Sequence, residues 1–196
     1  MSNIEKSIEK AEKFYAEHKF KDAIYWYTRA LSLSPNADIY SERAVSYFHN
    51  DQLKESLEDM NRAQELEPQR AYRYASRAYI KDAMGDLEGA IRDYEKAIEL
   101  DPEDAIAHNN LGLLIEKSGH HQKAKAFFDF ADAIAKKEQG DDSAMVERPR
   151  NIQSELNKDR KDTSLGNEML KVFTSAEQFK AFLRFVGNGF KHKDSD

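Results

Sequence analysis

The stretch MGDLEGAIRDYEKAIELDP, from Met84 to Pro102, decides the fold of this chain. It opens with a turn signal, Gly85-Asp86, and then alternates apolar and charged residues at the spacing of one face of a helix. Pro102 cannot continue that helix, because proline lacks the backbone N–H and clashes with the preceding turn. The stretch therefore predicts one amphipathic helix with a defined start and a defined stop.

The same punctuation returns along the chain in steps of 33 or 34 residues, at Pro35, Pro68 and Pro102. Turn signals recur with the same step, at His18-Lys19, Asn50-Asp51, Gly85-Asp86 and Gly119-His120. A fixed period of this length is the signature of a repeat made of two helices. The sequence predicts four units, each formed by helix A, a tight turn and helix B, and eight helices in all.

Small residues occupy three fixed positions of the unit, where two helices can approach closely. These positions are Ala11, Ala44, Ala78 and Gly112; Ala23, Ser56, Ala90 and Ala124; and Ala30, Ala63, Ala97 and Ala131. A large side chain follows four residues after the second position, on the same helix face, as Tyr27, Met60, Tyr94 and Phe128. We interpret all of them as core residues that specify the fold.

These residues resemble the tetratricopeptide repeat family over about residues 4–135, most closely at Met84 to Pro102 and in HNNLG from His108 to Gly112. The resemblance implies an all-α fold, a right-handed superhelical solenoid of four tetratricopeptide helix-turn-helix repeats, to which C-terminal amphipathic helices would be added. Two residues depart from the pattern. Lys81 stands where the other units have Phe14, Tyr47 and Ile115, and Lys136 replaces a proline, so the last helix B is expected to run on toward Gly140.

Composition excludes several classes of function. The net charge of -6 disfavours broad nucleic-acid binding, and the absence of cysteine removes thiolate metal sites and cysteine nucleophiles. The charged N-terminus lacks a signal-peptide core, and no apolar run reaches the length of a membrane span, so we expect a cytoplasmic protein without membrane contact. The adjacent histidines His120 and His121 have no further metal-ligating residues at the spacing of a known metal site, and the sequence contains no catalytic motif. We predict no metal, no cofactor and no enzymatic activity.

The resemblance implies that the A helices line a concave groove that binds a peptide. The groove residues carried over from the family are Glu5, Glu9, Glu12, Tyr15, Asp38, Glu42, Val45, Phe48, Tyr72, Tyr79, Asp82, Asn109, Asn110 and Leu113. With Glu116, seven carboxylates would face a single lysine, Lys117. The predicted partner is therefore a protein or peptide that is basic and apolar.

The family's best-known binding mode is a carboxylate clamp, in which lysine, asparagine and arginine side chains hold the acidic C-terminus of heat-shock chaperones. This sequence has other residues at those positions: Ile8, Glu12, Glu42, Tyr72 and Ser76. The resemblance therefore implies a domain of the non-clamp type, in which an acidic chain end would meet acidic side chains.

The C-terminal part divides at a change of composition. The repeat domain is expected over residues 1–140, a flexible charged linker over 141–164, and amphipathic helices over 165–196. Residues 165–193 carry five lysines or arginines against two glutamates, and their apolar docking residues would be Phe173, Phe179, Phe182, Leu183 and Val186. Four roles remain open for this segment: it caps the last repeat, it occupies the chain's own groove, it joins copies into a homo-oligomer, or it is a basic amphipathic helix for a membrane surface or another partner.

Overall fold

The computed structural model describes residues 2–138 and Pro149, and the described part is all-helical. Its eight α-helices are α1 (Asn3–Ala16), α2 (Phe20–Leu33), α3 (Ala37–His49), α4 (Leu53–Leu66), α5 (Ala71–Ala83), α6 (Leu87–Leu100), α7 (Ala105–Lys117) and α8 (His121–Glu138). Each A helix packs against its own B helix, and each B helix packs against the next A helix. The predicted eight helices in four pairs are confirmed.

Helix α8 is longer than the other B helices and reaches Glu138, as the missing proline at Lys136 predicts. Gly140, the linker 141–164 and the predicted helices of 165–196 lie outside the described residues. Among the helices that are described, none combines the length and the apolarity that a bilayer crossing requires.

The four turns between helix A and helix B share one backbone conformation. His18, Asp51, Gly85 and Gly119 all have positive φ, at 56°, 59°, 82° and 86°. The amide of the next residue then reaches back to a carbonyl in the last turn of helix A, as Asp86 does to Lys81 at 2.9 Å. This is the Schellman pattern, which satisfies a carbonyl that the helix end would otherwise leave open. The predicted turn signals therefore act as helix stops.

The small residues lie where helices A and B touch. Ala11, Ala23 and Ala30 have no exposed surface, and the equivalent positions in later units are buried as well. The large residues of the first three units, Tyr27, Met60 and Tyr94, are 1 to 2% exposed. The fourth unit packs differently, because an added Cβ on Gly112 would come within 2.6 Å of the ring of the half-buried Phe128. Glycine there makes room for the ring.

A second set of contacts repeats at a spacing of 16 residues between helix A and helix B. Arg43 donates to both carboxylate oxygens of Asp59, at 2.6 and 2.7 Å, and Arg77 does the same to Asp93, at 2.7 Å for each bond. Each arginine also donates to the preceding B helix, Arg43 to Thr28 and Arg77 to Asn61. Both aspartates are buried.

In the first and fourth units, the two positions that hold arginine and aspartate in the middle units are occupied by other residue types. In the first unit the ammonium of Lys10 lies 4.1 Å from the centre of the Trp26 ring, and in the fourth unit the positions hold the buried Leu111 and Phe127. Lys81, which departs from the apolar pattern, donates to Asp93 at 2.7 Å. Its aliphatic stem can lie in the interior because its charge is paired.

Replacing Ala97 with leucine should lower the free energy of unfolding by about 1 to 3 kcal/mol, because the added carbons overfill a site with no exposed surface. Chemical denaturation measures the change. Glu99→Leu, at an exposed position of the same helix, is the matched control and should change stability by less than about 0.5 kcal/mol. Equal effects of the two variants would contradict the assigned register.

Replacing one residue of the Arg43–Asp59 pair should lower the free energy of unfolding more than replacing both residues with apolar ones. Asp59→Ala leaves a largely buried guanidinium without its carboxylate and should cost about 3 to 5 kcal/mol. Arg43→Leu combined with Asp59→Phe copies Leu111 and Phe127 and should return to within about 1 kcal/mol of the parent.

Glu65→Ala is the control for that pair, because Glu65 forms an ion pair with Arg62 at the exposed surface. Losing that ion pair should lower the free energy of unfolding by about 1 kcal/mol or less. If Asp59→Ala were no more destabilising than Glu65→Ala in urea melts, the buried pairs would not tie the repeats together.

Candidate functional site

The A helices α1, α3, α5 and α7 are linked in order by side-chain contacts from one repeat to the next. The ring centres of Tyr15 and His49 are 5.8 Å apart, and Arg73 of α5 donates to Asp38 of α3 at 2.8 Å. Farther along, Lys117 donates to Asp82 at 2.8 Å. We call the face on which these contacts lie the groove. It is the surface on which the sequence placed its candidate binding residues.

Aromatic side chains form a continuous row along the first three A helices, which we call the aromatic row: Phe20, Tyr15, His49, Phe48 and Tyr79. Phe20 stacks on His49 with ring centres 5.1 Å apart, and Phe48 meets Tyr79 at the same distance. Tyr79 is 56% exposed, although it is a large ring. Sequence analysis named Tyr15, Phe48 and Tyr79 but missed Phe20, because that residue belongs to the start of a B helix.

Tyr72 is engaged differently from the aromatic row. Its ring lies over the guanidinium of Arg73, 4.8 Å from the ring centre, and its hydroxyl donates to Asp38 at 3.1 Å. Arg73 itself has no exposed surface, and it also donates to the Ala37 carbonyl, to Ser41 and to Glu67. This buried arginine joins the second and third repeats, and sequence analysis did not identify it.

Arg73 changes the expected charge of the groove. Its hydrogen bond to Asp38 holds the pKa of that carboxyl below its ordinary value, so Asp38 is ionised but already paired. Asp82 forms an ion pair with Lys117 at 2.8 Å. The expectation of seven carboxylates facing one lysine therefore overstates the unpaired negative charge, because two of them are satisfied by cations of the neighbouring repeat.

Unpaired acidity concentrates between α1 and α3, in a pocket of about 470 Å³ that we call the acidic pocket. Six of its lining residues define its chemistry: Ile4, Ile8, Ile39, Glu12, Glu42 and Tyr27. Glu12 and Glu42 are exposed, yet the pKa of the Glu42 carboxyl is raised, first because neighbouring atoms partly desolvate it and then because Glu12 and Asp38 repel its charge. Both carboxylates thus contribute negative charge to the same pocket.

The remaining predicted groove residues lie at both ends and along the floor. Glu5 belongs to a capping box, in which Ser2 and Glu5 exchange hydrogen bonds at the start of α1, and Glu9 is exposed. Val45 and Asn110 are half-buried, whereas Asn109 and Leu113 are exposed. Phe173, Phe179, Phe182, Leu183 and Val186, predicted to dock from the C-terminal segment, lie outside the described residues.

The arrangement offers surfaces for binding: exposed aromatic rings, an apolar pocket and carboxylates. In residues 2–138 and Pro149, no group of three or more histidine, aspartate or glutamate side chains is placed to hold a metal ion. The chemistry that these side chains provide is burial of apolar surface and attraction of positive charge.

Residues 83–119 match the family model described as TPR repeat. Among curated proteins, a DnaJ homolog subfamily C member 7 homolog from Dictyostelium discoideum is 29% identical over 116 residues, which is 57% of this chain and 22% of that protein. The chain spans about a fifth of the length of the curated relatives it matches.

Two solved structures share the fold. The crystal structure of MamA superposes with a TM-score of 0.67 at 24% identity, covering 70% of this chain and 81% of that one. The first TPR of Spaghetti (RPAP3) bound to HSP90 peptide SRMEEVD superposes with a TM-score of 0.57 at 28% identity, covering 60% and 94%. Together with the match at residues 83–119 and the four helical pairs of residues 3–138, these likenesses show that the described part of the chain has the tetratricopeptide repeat fold.

Proposed function

We propose that the chain is a non-catalytic protein-interaction adaptor of the cytoplasm that binds a basic, partly apolar peptide or helix in its groove. The observation that carries the proposal is the aromatic row. Tyr79 exposes 56% of its surface, and Leu113 on the next A helix exposes 50%. Aromatic rings aligned on a rigid helical face are the anchors that dominate the energetics of protein interfaces.

The charge of the groove supports a basic ligand. Glu12 and Glu42 make the acidic pocket between α1 and α3 negatively charged, whereas Asp38 and Asp82 already form ion pairs within the domain. A peptide with lysine or arginine beside apolar residues would compensate the first pair and cover the aromatic row. An acidic peptide would be repelled at the acidic pocket.

The solved relative that holds SRMEEVD takes a peptide with an acidic end. At the clamp positions this chain has Ile8, Glu12, Glu42, Tyr72 and Ser76, and the nearby cation Arg73 is buried and occupied by four acceptors. The likeness supports peptide binding by this groove, and the side chains support a ligand of opposite charge.

A synthetic peptide of residues 165–193 should bind the chain that ends at Asp162, because it carries five basic residues and is rich in phenylalanine. Under the same conditions SRMEEVD should not bind. Tyr79→Ala should weaken binding of the 165–193 peptide by about tenfold or more, since an aromatic anchor contributes about 1 to 2 kcal/mol or more. Fluorescence anisotropy with labelled peptides measures both affinities.

Tyr25→Ala is the matched control, because Tyr25 is 59% exposed but lies on the B helix α2. It should leave the affinity unchanged. Circular dichroism melts establish that each variant and the shortened chain are folded. Micromolar binding of SRMEEVD, or an equal loss in Tyr25→Ala and Tyr79→Ala, would contradict the proposed groove chemistry.

The C-terminal segment is itself a candidate ligand, because residues 165–193 are basic and rich in phenylalanine and so complement a groove with free carboxylates and aromatic rings. We propose that this segment occupies the groove of its own chain and so regulates access to it. The alternative function is structural: the segment docks into neighbouring copies and builds an assembly. Both versions use the same complementarity, and they differ in whether the docking is internal.

Shortening the chain to residues 1–162 should strengthen its binding of the free 165–193 peptide by about tenfold or more, because a short tether provides an effective concentration of about a millimolar. The full chain and the shortened chain should both sediment as monomers. Concentration-dependent assembly of the full chain alone would support the structural alternative. Equal peptide affinities for two monomeric proteins would exclude any docking of the segment.

A further inference from the structure

The acidic pocket between α1 and α3 contains polar groups that the fold does not use. Among its lining residues, the Asn36 side chain caps α3, with 2.8 Å to the amide of Asp38, and the Asp38 carboxylate accepts from Arg73 and Tyr72. For Glu12 and Glu42, by contrast, the part of the chain that the structure describes supplies no hydrogen-bond donor or ion-pair partner to the carboxylates. Two acceptor groups from two different helices are therefore left facing the same space.

Tyr27 provides an independent observation. Its side chain is 1% exposed, yet it lines the acidic pocket, and within the described residues its hydroxyl has no hydrogen-bond partner. Burial raises its pKa, and the charges of Glu42 and Glu12 raise it further, so this hydroxyl stays neutral beside them. It is available as a third oxygen ligand.

The rest of the acidic pocket is apolar. Ile4 and Ile8 contribute one wall from α1, Ile39 contributes the opposite wall from α3, and all three belong to or pack against the first core cluster. An occupant that fits must combine an aliphatic stem with a positive end. Neither a metal ion nor an anion has that character.

We propose that the acidic pocket is a subsite for one lysine side chain of the bound peptide, with the stem against the three isoleucines and the ammonium between Glu12, Glu42 and the Tyr27 hydroxyl. The inference rests on the proposed function, since a peptide must present the lysine. An ammonium suits this geometry because it is a compact point charge with three donors, whereas a guanidinium needs a planar, bidentate acceptor. Here the acceptors converge from separate helices.

The subsite is tested on the full chain labelled with ¹³C at the isoleucine δ1-methyl groups, because Ile4, Ile8 and Ile39 then report from inside the pocket. The probe is Nα-acetyl-lysinamide, and the matched probe is Nα-acetyl-norleucinamide, which keeps an alkyl chain but lacks the ammonium. We expect saturable shifts of these three methyls with the lysine probe, at a millimolar dissociation constant in keeping with so small a ligand. Ile91 and Ile115, buried in the third and fourth repeats, should not respond.

Glu42→Gln should weaken binding of the lysine probe by about tenfold, because the ammonium loses one charge-assisted hydrogen bond. The same variant should raise the melting temperature at pH 7. The sign follows from the raised pKa: ionisation of Glu42 is less favourable in the folded chain than in the unfolded chain, so neutralising it removes a cost of folding above its unfolded pKa. Glu58→Gln, an exposed carboxylate of α4, makes the same change in net charge and should do neither.

Four results would overturn the subsite: equal shifts with the norleucine probe, tighter binding of Nα-acetyl-argininamide, an affinity unchanged in Glu42→Gln, or silent isoleucine methyls. The titration is repeated on residues 1–162, so that occupancy by the C-terminal segment cannot hide the pocket. Failure here is distinguishable from failure of the proposed function. If the 165–193 peptide binds and depends on Tyr79 while the isoleucines stay silent, the groove function stands and the lysine subsite falls.

Discussion

The close approach of helix A to helix B through alanine, serine and glycine is the constraint on which the rest of the structure depends. Ala11, Ala23 and Ala30 have no exposed surface, so two helix backbones lie against each other with one large side chain filling the space that remains. Because that approach repeats in each unit, the A helices stand side by side and present one face. The groove exists as a consequence of what the small residues permit, and its chemistry is then free to vary.

Polar contacts give this packing its register. The buried pairs Arg43–Asp59 and Arg77–Asp93 connect three successive helices each, and Arg73 connects the second repeat to the third with no exposure of its own. Such buried charges contribute little net stability, since desolvation offsets the attraction, but an unpaired member is costly. They therefore favour one alignment of neighbouring repeats over others. The same contacts determine which carboxylates of the groove remain available to a ligand.

Sequence predicted the fold well and the site in part. The period of 34 residues is set by backbone and packing requirements that act locally, so the helices, the left-handed turns at His18 and Gly85 and the core positions could all be found from residue types. Arg73 could not, because its partners Asp38 and Glu67 lie in other elements and its burial depends on tertiary packing. A signal was nevertheless present: Arg43 and Arg77, each 16 residues before an aspartate, repeat in phase with the small residues. The residues of the C-terminal segment remain predictions.

The side-chain contacts between successive A helices add to the packing of each B helix against the next A helix, and together they carry load along the domain. Each joins residues about one repeat apart, so a force along the solenoid passes through the junctions in series, as through springs joined end to end. The junctions differ in stiffness. The middle one is clamped by the solvent-shielded Arg73, whereas the last depends on Lys117 and Asp82 at the surface, where salt screens the attraction. Salt therefore weakens the exposed Lys117–Asp82 contact more than the contacts of the buried Arg73.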